Sequence, residues 1–176
     1  GDGGAIFTNN KDYSEKIRLL RVHGQNRRNH HKYIGISGRM DTIQAAILSA
    51  KLPYFASELK CRQKVADQYT TELSNILKTP IIKSDRLSSW AQYTIRVSNR
   101  DKFRESLAET GIPCAIFYPI PLHLQECFKY LKYKHGDFPI SEEAANEVIS
   151  LPMNAFLTHK EIEYITSNTK KIINTI

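Results

Sequence analysis

Ile34-Gly35-Ile36-Ser37-Gly38-Arg39-Met40-Asp41-Thr42-Ile43-Gln44-Ala45-Ala46-Ile47-Leu48 is the stretch that decides the fold. A turn of small residues delivers Arg39 to the start of a helix. From Asp41 the apolar residues recur at helical spacing: Ile43, Ile47 and the Leu48/Leu52 pair form one stripe. Leu59, Ala66, Tyr69, Leu73 and Ile76 continue it, so one long helical stretch is expected from about Asp41 to Leu77. Pro53 should kink it, because proline lacks an N–H and crowds the preceding turn. Such a helix divides the chain. Residues 1–55 read as the tail of one domain and residues 56–176 as a small α/β domain.

Toward the N-terminus, Gly1-Asp2-Gly3-Gly4 runs into Ala5-Ile6-Phe7-Thr8. A glycine turn feeding a short buried strand is expected there, and so abrupt an opening reads as an end cut from something longer. Asn9 or Asn10 can cap a helix reaching about residue 22, with Tyr13, Ile17 and Leu20 on one face and Gly24 as its stop. Residues 25–38 read as a polar, basic connector. Toward the C-terminus, Ala91, Tyr93, Ile95 and Val97 alternate with Gln92, Thr94 and Arg96 as a half-buried strand. A helix through Phe103 and Leu107 stops at Gly111, and Ala115-Ile116-Phe117-Tyr118 reads as another strand. Pro119 and Pro121 must leave the sheet, since neither can donate to a ladder. Helices are expected near 123–132 and 142–150. Thr158 with Glu161 fits a capping box opening the last helix.

The 176 residues are 41% apolar and 24% charged, which suits a globular domain and excludes disorder. No apolar run approaches the ~20 residues of a membrane helix. Three cysteines, Cys61, Cys114 and Cys127, have no close pair spacing, which favours a reducing compartment, and the cytoplasm is the expected location. The formal charge of +7 suits a nucleic acid, an anionic surface or a phosphate-bearing small molecule, and composition does not choose among them.

Four constellations bear on chemistry. Arg27-Arg28-Asn29-His30-His31-Lys32 is the most basic stretch; it is either a solvated loop or a contact for phosphate or carboxylate. As a nucleic-acid site it lacks an accompanying module. His23, His30 and His31 have no Cys or acidic partner at zinc-like spacing, so no metal is expected. Cys114 with His123 as base would make a nucleophile, but a buried strand cysteine is the simpler reading. Arg39 stands just before a helix N-terminus, where free N–H groups and the helix dipole favour an anion. Its planar fork suits phosphate or carboxylate, or it pairs internally, with Asp41 for instance. Finally, Phe117-Tyr118-Pro119-Ile120-Pro121-Leu122-His123 is an aromatic strand end breaking into a proline-stiffened loop. It is either the wall of a sugar or nucleotide pocket or a strand end with core aromatics.

Together, GDGGAIFTN, His23-Gly24-Gln25, the Ile34–Leu48 run, AQYTIR, YPIPLH and SLPM resemble the DegT/DnrJ/StrS nucleotide-sugar aminotransferases, in order and over essentially the whole chain. The resemblance implies an α/β fold. It would be the C-terminal part of a pyridoxal-phosphate-dependent transferase of the aspartate aminotransferase type: the tail of the large domain over 1–55, a long kinked helix, and the small α/β domain over 56–176. It implies a homodimer that moves an amino group, typically from glutamate, onto a keto sugar attached to a nucleotide. The Gln25–His31 stretch looks most like members acting on UDP-linked 3-keto sugars, uronic acids included, for surface polysaccharides.

The residues that the resemblance assigns are Ser37 and Arg39 near the cofactor phosphate of the partner subunit's site. Arg39, Tyr118, His123, Arg28 and His30 are assigned to the substrate. Position 37 is Ser where the family commonly has Asn, and Phe117 stands where close relatives often have His. The family's Schiff-base lysine lies in a segment preceding GDGGAIFTN. No lysine of residues 1–176 stands in that position, and Lys11 and Lys51 are not substitutes. The chain alone is therefore expected not to transaminate. The competing expectations are a non-catalytic dimerisation or interaction module, favoured by apolar surface on residues 1–55, and a basic nucleic-acid-binding domain.

Overall fold

The computed structural model describes residues 3–176. The glycine turn expected at the start falls partly outside them, at Gly1 and Asp2. The chain divides into two compact units, the first ending at Phe55 and the second running from Ala56 to Ile176.

In the first unit, α1 spans Lys11–Leu20. Asn10 caps it, its side chain accepting from the Tyr13 amide at 3.0 Å. Gly24, with φ +69°, ends the turn and donates to the Leu19 carbonyl at 2.8 Å. The stretch read as a plain connector holds a hairpin: β1 (Gln25–Arg27) pairs antiparallel with β2 (His30–His31). Asn29 takes the left-handed conformation its tip requires, at φ 61°. The returning chain is tied to the end of α1. The Ile36 amide donates to Leu20, His23 to Ile36 and Gly38 to Arg21, each at 2.9 Å. At this crossing a Cβ on Gly35 would stand 2.3 Å from the Gly24 nitrogen, so only glycine fits.

The strand expected at Ala5–Thr8 does not form. A strand exists only when paired, and among the described residues nothing pairs with it; Ile6 and Phe7 are exposed.

The long helix is α2, Thr42–Leu73, with Pro53 inside it and the unit boundary two residues beyond that proline. In the second unit β3 (Tyr93–Arg96) pairs antiparallel with β4 (Val148–Leu151), placing Tyr93 opposite Leu151 and Ile95 opposite Ile149. These four buried side chains pack with Tyr69 and Leu73 of α2, Phe103 and Leu107 of α3 (Arg100–Glu109), and Ile162 and Ile165 of α5 (His159–Ile173). The capping box is present at the start of α5.

Three expectations need correction. The helix expected near 142–150 lies three residues earlier: α4 covers Pro139–Glu147, and Val148 onward turns into β4, because β-branched residues there find a ladder partner in β3. The strand expected at Ala115–Tyr118 is one bridge, Ala115 against Ser150; Pro113 and Pro119 bound it and cannot extend a ladder. The region near 123–132 is two 3-10 turns, Leu122–Leu124 and Glu126–Leu131.

Candidate functional site

Tyr118 stands at the start of the proline-stiffened loop, 72% exposed, its ring edge-on to Phe117 at 5.7 Å. Below it, Phe117, Tyr118, Ile120, Leu122 and the α4 residues Ser141 and Ala144 line a cavity of about 340 Å³. The loop therefore presents a phenol above a mainly apolar recess.

His123 does the opposite of what a loop-borne imidazole suggests. Its side chain is 8% exposed; Nε2 lies 3.0 Å from Oε1 of Glu142, and the ring packs on Phe138 with centroids 4.8 Å apart. Glu142, itself 7% exposed, is the centre of a polar cluster. Both its oxygens accept from the Gly136 amide at 2.9 Å, Oε1 also accepts from the Phe138 amide at 3.3 Å, and His135 Nδ1 contacts Oε2. Burial alone would push this carboxyl up. The Gly136 amide, the His123 ring, the Phe138 amide and the nearby His135 outweigh that and hold it below the usual carboxylate value. Glu142 carried no sequence signal beyond being an acidic residue in the first turn of a helix opened by proline.

Cys114 is half-buried, and burial pushes its thiol up, the reverse of an activated nucleophile. With His123 engaged by Glu142, the Cys114–His123 pair does not assemble. Among the described residues no group of three His, Cys, Asp or Glu side chains is placed to hold a metal. No described helix is long and apolar enough to cross a membrane.

In the first unit Ser37 and Arg39 are exposed, immediately ahead of α2. The ion pairs formed among the described residues do not include Arg39 or Asp41, so the internal pairing of the two is not formed. A guanidinium, a hydroxyl and the first amides of a 32-residue helix are the donor set a phosphate or carboxylate asks for. Arg28 and His30 are exposed on the hairpin, which His31 braces by contacting the His23 carbonyl at 2.9 Å through Nδ1.

A capped helix, a basic hairpin, a long helix preceded by an arginine, and a small α/β unit carrying an aromatic proline loop define part of a pyridoxal-phosphate-dependent transferase fold. The chain belongs to the DegT/DnrJ/EryC1/StrS aminotransferase family, whose profile matches residues 1–170. It is 44% identical over 166 residues to the UDP-2-acetamido-2-deoxy-3-oxo-D-glucuronate aminotransferase of Pseudomonas aeruginosa, covering 94% of this chain and 45% of that enzyme. A DegT DnrJ EryC1 StrS aminotransferase from Brucella abortus superimposes with a TM-score of 0.85 at 34% identity, over 94% of this chain and 44% of that one. S. venezuelae DesV in complex with a ketimine intermediate gives 0.90 at 26% identity, over 96% and 46%. The chain thus spans less than half the length of these relatives. The family's enzymes depend on pyridoxal phosphate.

Proposed function

We propose that this chain is the portion of a nucleotide-sugar aminotransferase that binds anionic groups and carries the substrate loop. Its reaction would move an amino group, from glutamate, onto a UDP-linked 3-keto sugar of the uronic-acid type, for surface-polysaccharide synthesis in the cytoplasm. The observation that carries this reading is Arg39, free of internal ion pairs at the head of α2. The sugar class draws support from the Pseudomonas aeruginosa relative, whose name specifies a UDP-linked 3-oxo uronate.

Each residue has a definable task. Arg39 would hold an oxyanion through two parallel N–H bonds, and Ser37 would add a hydroxyl donor at the cofactor phosphate. Arg28 and His30 would meet the diphosphate from the hairpin, which displays them without ordering a flexible loop. Tyr118 would line the sugar, with its phenol as donor or acceptor. The bound cofactor supplies an electron sink for the amino transfer. No residue of this chain is assigned as its covalent anchor.

Residues 1–55 would be the face turned to a second subunit. Among their described positions only Gly24 is buried, while Phe7, Ile34, Ile43 and Leu52 stand exposed. One experiment on residues 1–176 tests these points. Pyridoxal phosphate followed by borohydride should mark no single lysine, and sizing of the same sample should show dimers. A stoichiometric adduct on one lysine would overturn the first point, and a monodisperse monomer the second.

A further inference from the structure

We propose that Glu142 is a positioning residue for the loop of residues 117–123, setting through His123 where Tyr118 stands. This rests on the reading above, in which Tyr118 faces the sugar.

Glu142 accepts from two backbone amides and contacts two imidazoles; the Phe138 amide is that of the N-cap of α4, which Pro139 opens, whereas His123 lies outside that helix start. An ionised carboxylate only accepts, so His123 must donate from Nε2, which fixes its neutral tautomer as the Nε2–H form. Phe138 closes one side of the imidazole and itself packs against Tyr133 at 5.1 Å. The ring therefore has little freedom.

From His123 the constraint passes up the loop. The Leu124 amide donates to Pro121 at 3.0 Å, and Gln125 Nε2 to the Ile120 carbonyl at 3.3 Å. Pro119 and Pro121 fix two of the φ angles between Tyr118 and His123. A ring pinned at one end of so stiff a segment limits the phenol at the other. Five residues of the loop border a cavity of about 340 Å³ shared with Ala145 and Val148, so on that side the loop faces open space rather than close-packed side chains.

A purely local role is the competing account: Glu142 would only close the Gly136–Phe138 turn. Nuclear magnetic resonance on residues 1–176 separates the two, using Glu142→Gln and His123→Phe. In the unsubstituted chain the His123 ring N–H should be observable and slow to exchange; in Glu142→Gln it should exchange faster, because one neutral amide oxygen replaces two carboxylate oxygens that now serve His123, Gly136, Phe138 and His135. Both variants should shift and loosen the amides of Tyr118, Ile120 and Leu122. His123→Phe should leave the Gly136 and Phe138 amides protected, because Glu142 still accepts from them.

Loop amides unchanged in His123→Phe would overturn the proposal. So would equal loss of protection at Gly136 and Phe138 in both variants. Should Glu142→Gln lose the core amides of Ile95 and Ile149, His123→Phe alone decides. A separate arm uses the protein that carries this chain, titrated with a UDP-linked sugar. Glu142→Gln should weaken binding by about ten- to a hundredfold, as expected when a contact residue is displaced. If the unsubstituted protein binds no UDP-linked sugar, the functional reading fails, while the loop measurements still decide the role of Glu142.

Discussion

Tyr69 shows how single residues of the second unit fix its stability. Its phenol is fully buried and donates to the Pro152 carbonyl at 2.9 Å. Burial, then the neighbouring Tyr93 and Glu161, push it well above the ordinary value of 10.0. The folded chain therefore keeps a proton that the unfolded chain releases near that value. The stabilisation is complete below pH 10 and falls as pH rises further. Tyr69→Phe should cost about 1–3 kcal/mol near neutrality, by leaving the Pro152 carbonyl unpaired. It should also flatten the alkaline loss. Urea unfolding at several pH values between neutral and strongly alkaline checks both; an unaltered alkaline slope would contradict the assignment. The limits of sequence reading are clearest at this scale. Tyr118 was legible as a loop aromatic because the flanking prolines forbid a strand. His123 was not legible as inward-facing, because its partner Glu142 sits 19 residues away among several acidic residues of similar spacing.

At the scale of elements, caps and the clean alternation that gives β3 are legible in the sequence, whereas strands without alternation are not. Asn10 and the Thr158–Glu161 box announce α1 and α5 because capping is local chemistry. In the box the Glu161 amide donates to Thr158 Oγ1 at 3.3 Å, and the Thr158 amide donates to Glu161 Oε2 at 2.7 Å. Thr158→Ala should therefore destabilise the second unit by about 1 kcal/mol, readable as a lowered midpoint of thermal or urea unfolding. No change in midpoint would mean the cap does not contribute. By contrast, Val148–Ser150 of β4 reads as helix in the sequence because Ala144, Ala145 and Val148 also satisfy a helical period. Only the ladder to β3 distinguishes the two. The β1–β2 hairpin was invisible because its strands are wholly polar and have no alternation to read. The opening strand failed for the converse reason: its residues have the right composition but no partner among those described.

On the scale of the whole molecule, the two units differ in what they bury. The second has a core of aromatic and aliphatic side chains, while the first is organised by backbone bonds around Gly24 and Gly35, with its apolar residues facing outward. A unit that exposes so much apolar surface together with Ser37, Arg39, Arg28 and His30 is suited to meeting another polypeptide surface. That is why the chain is read as a contributor to amino transfer. The most direct test is glutamate-dependent amination of a UDP-linked 3-keto uronic acid by the protein that carries this chain, with Arg39→Ala beside it. Loss of a charge-assisted bond of roughly 1.5–3 kcal/mol should lower kcat/KM about tenfold to a hundredfold, with the fold of the protein unchanged. Equal kcat/KM in the two proteins, or no amination by the unsubstituted one, would contradict the central claim.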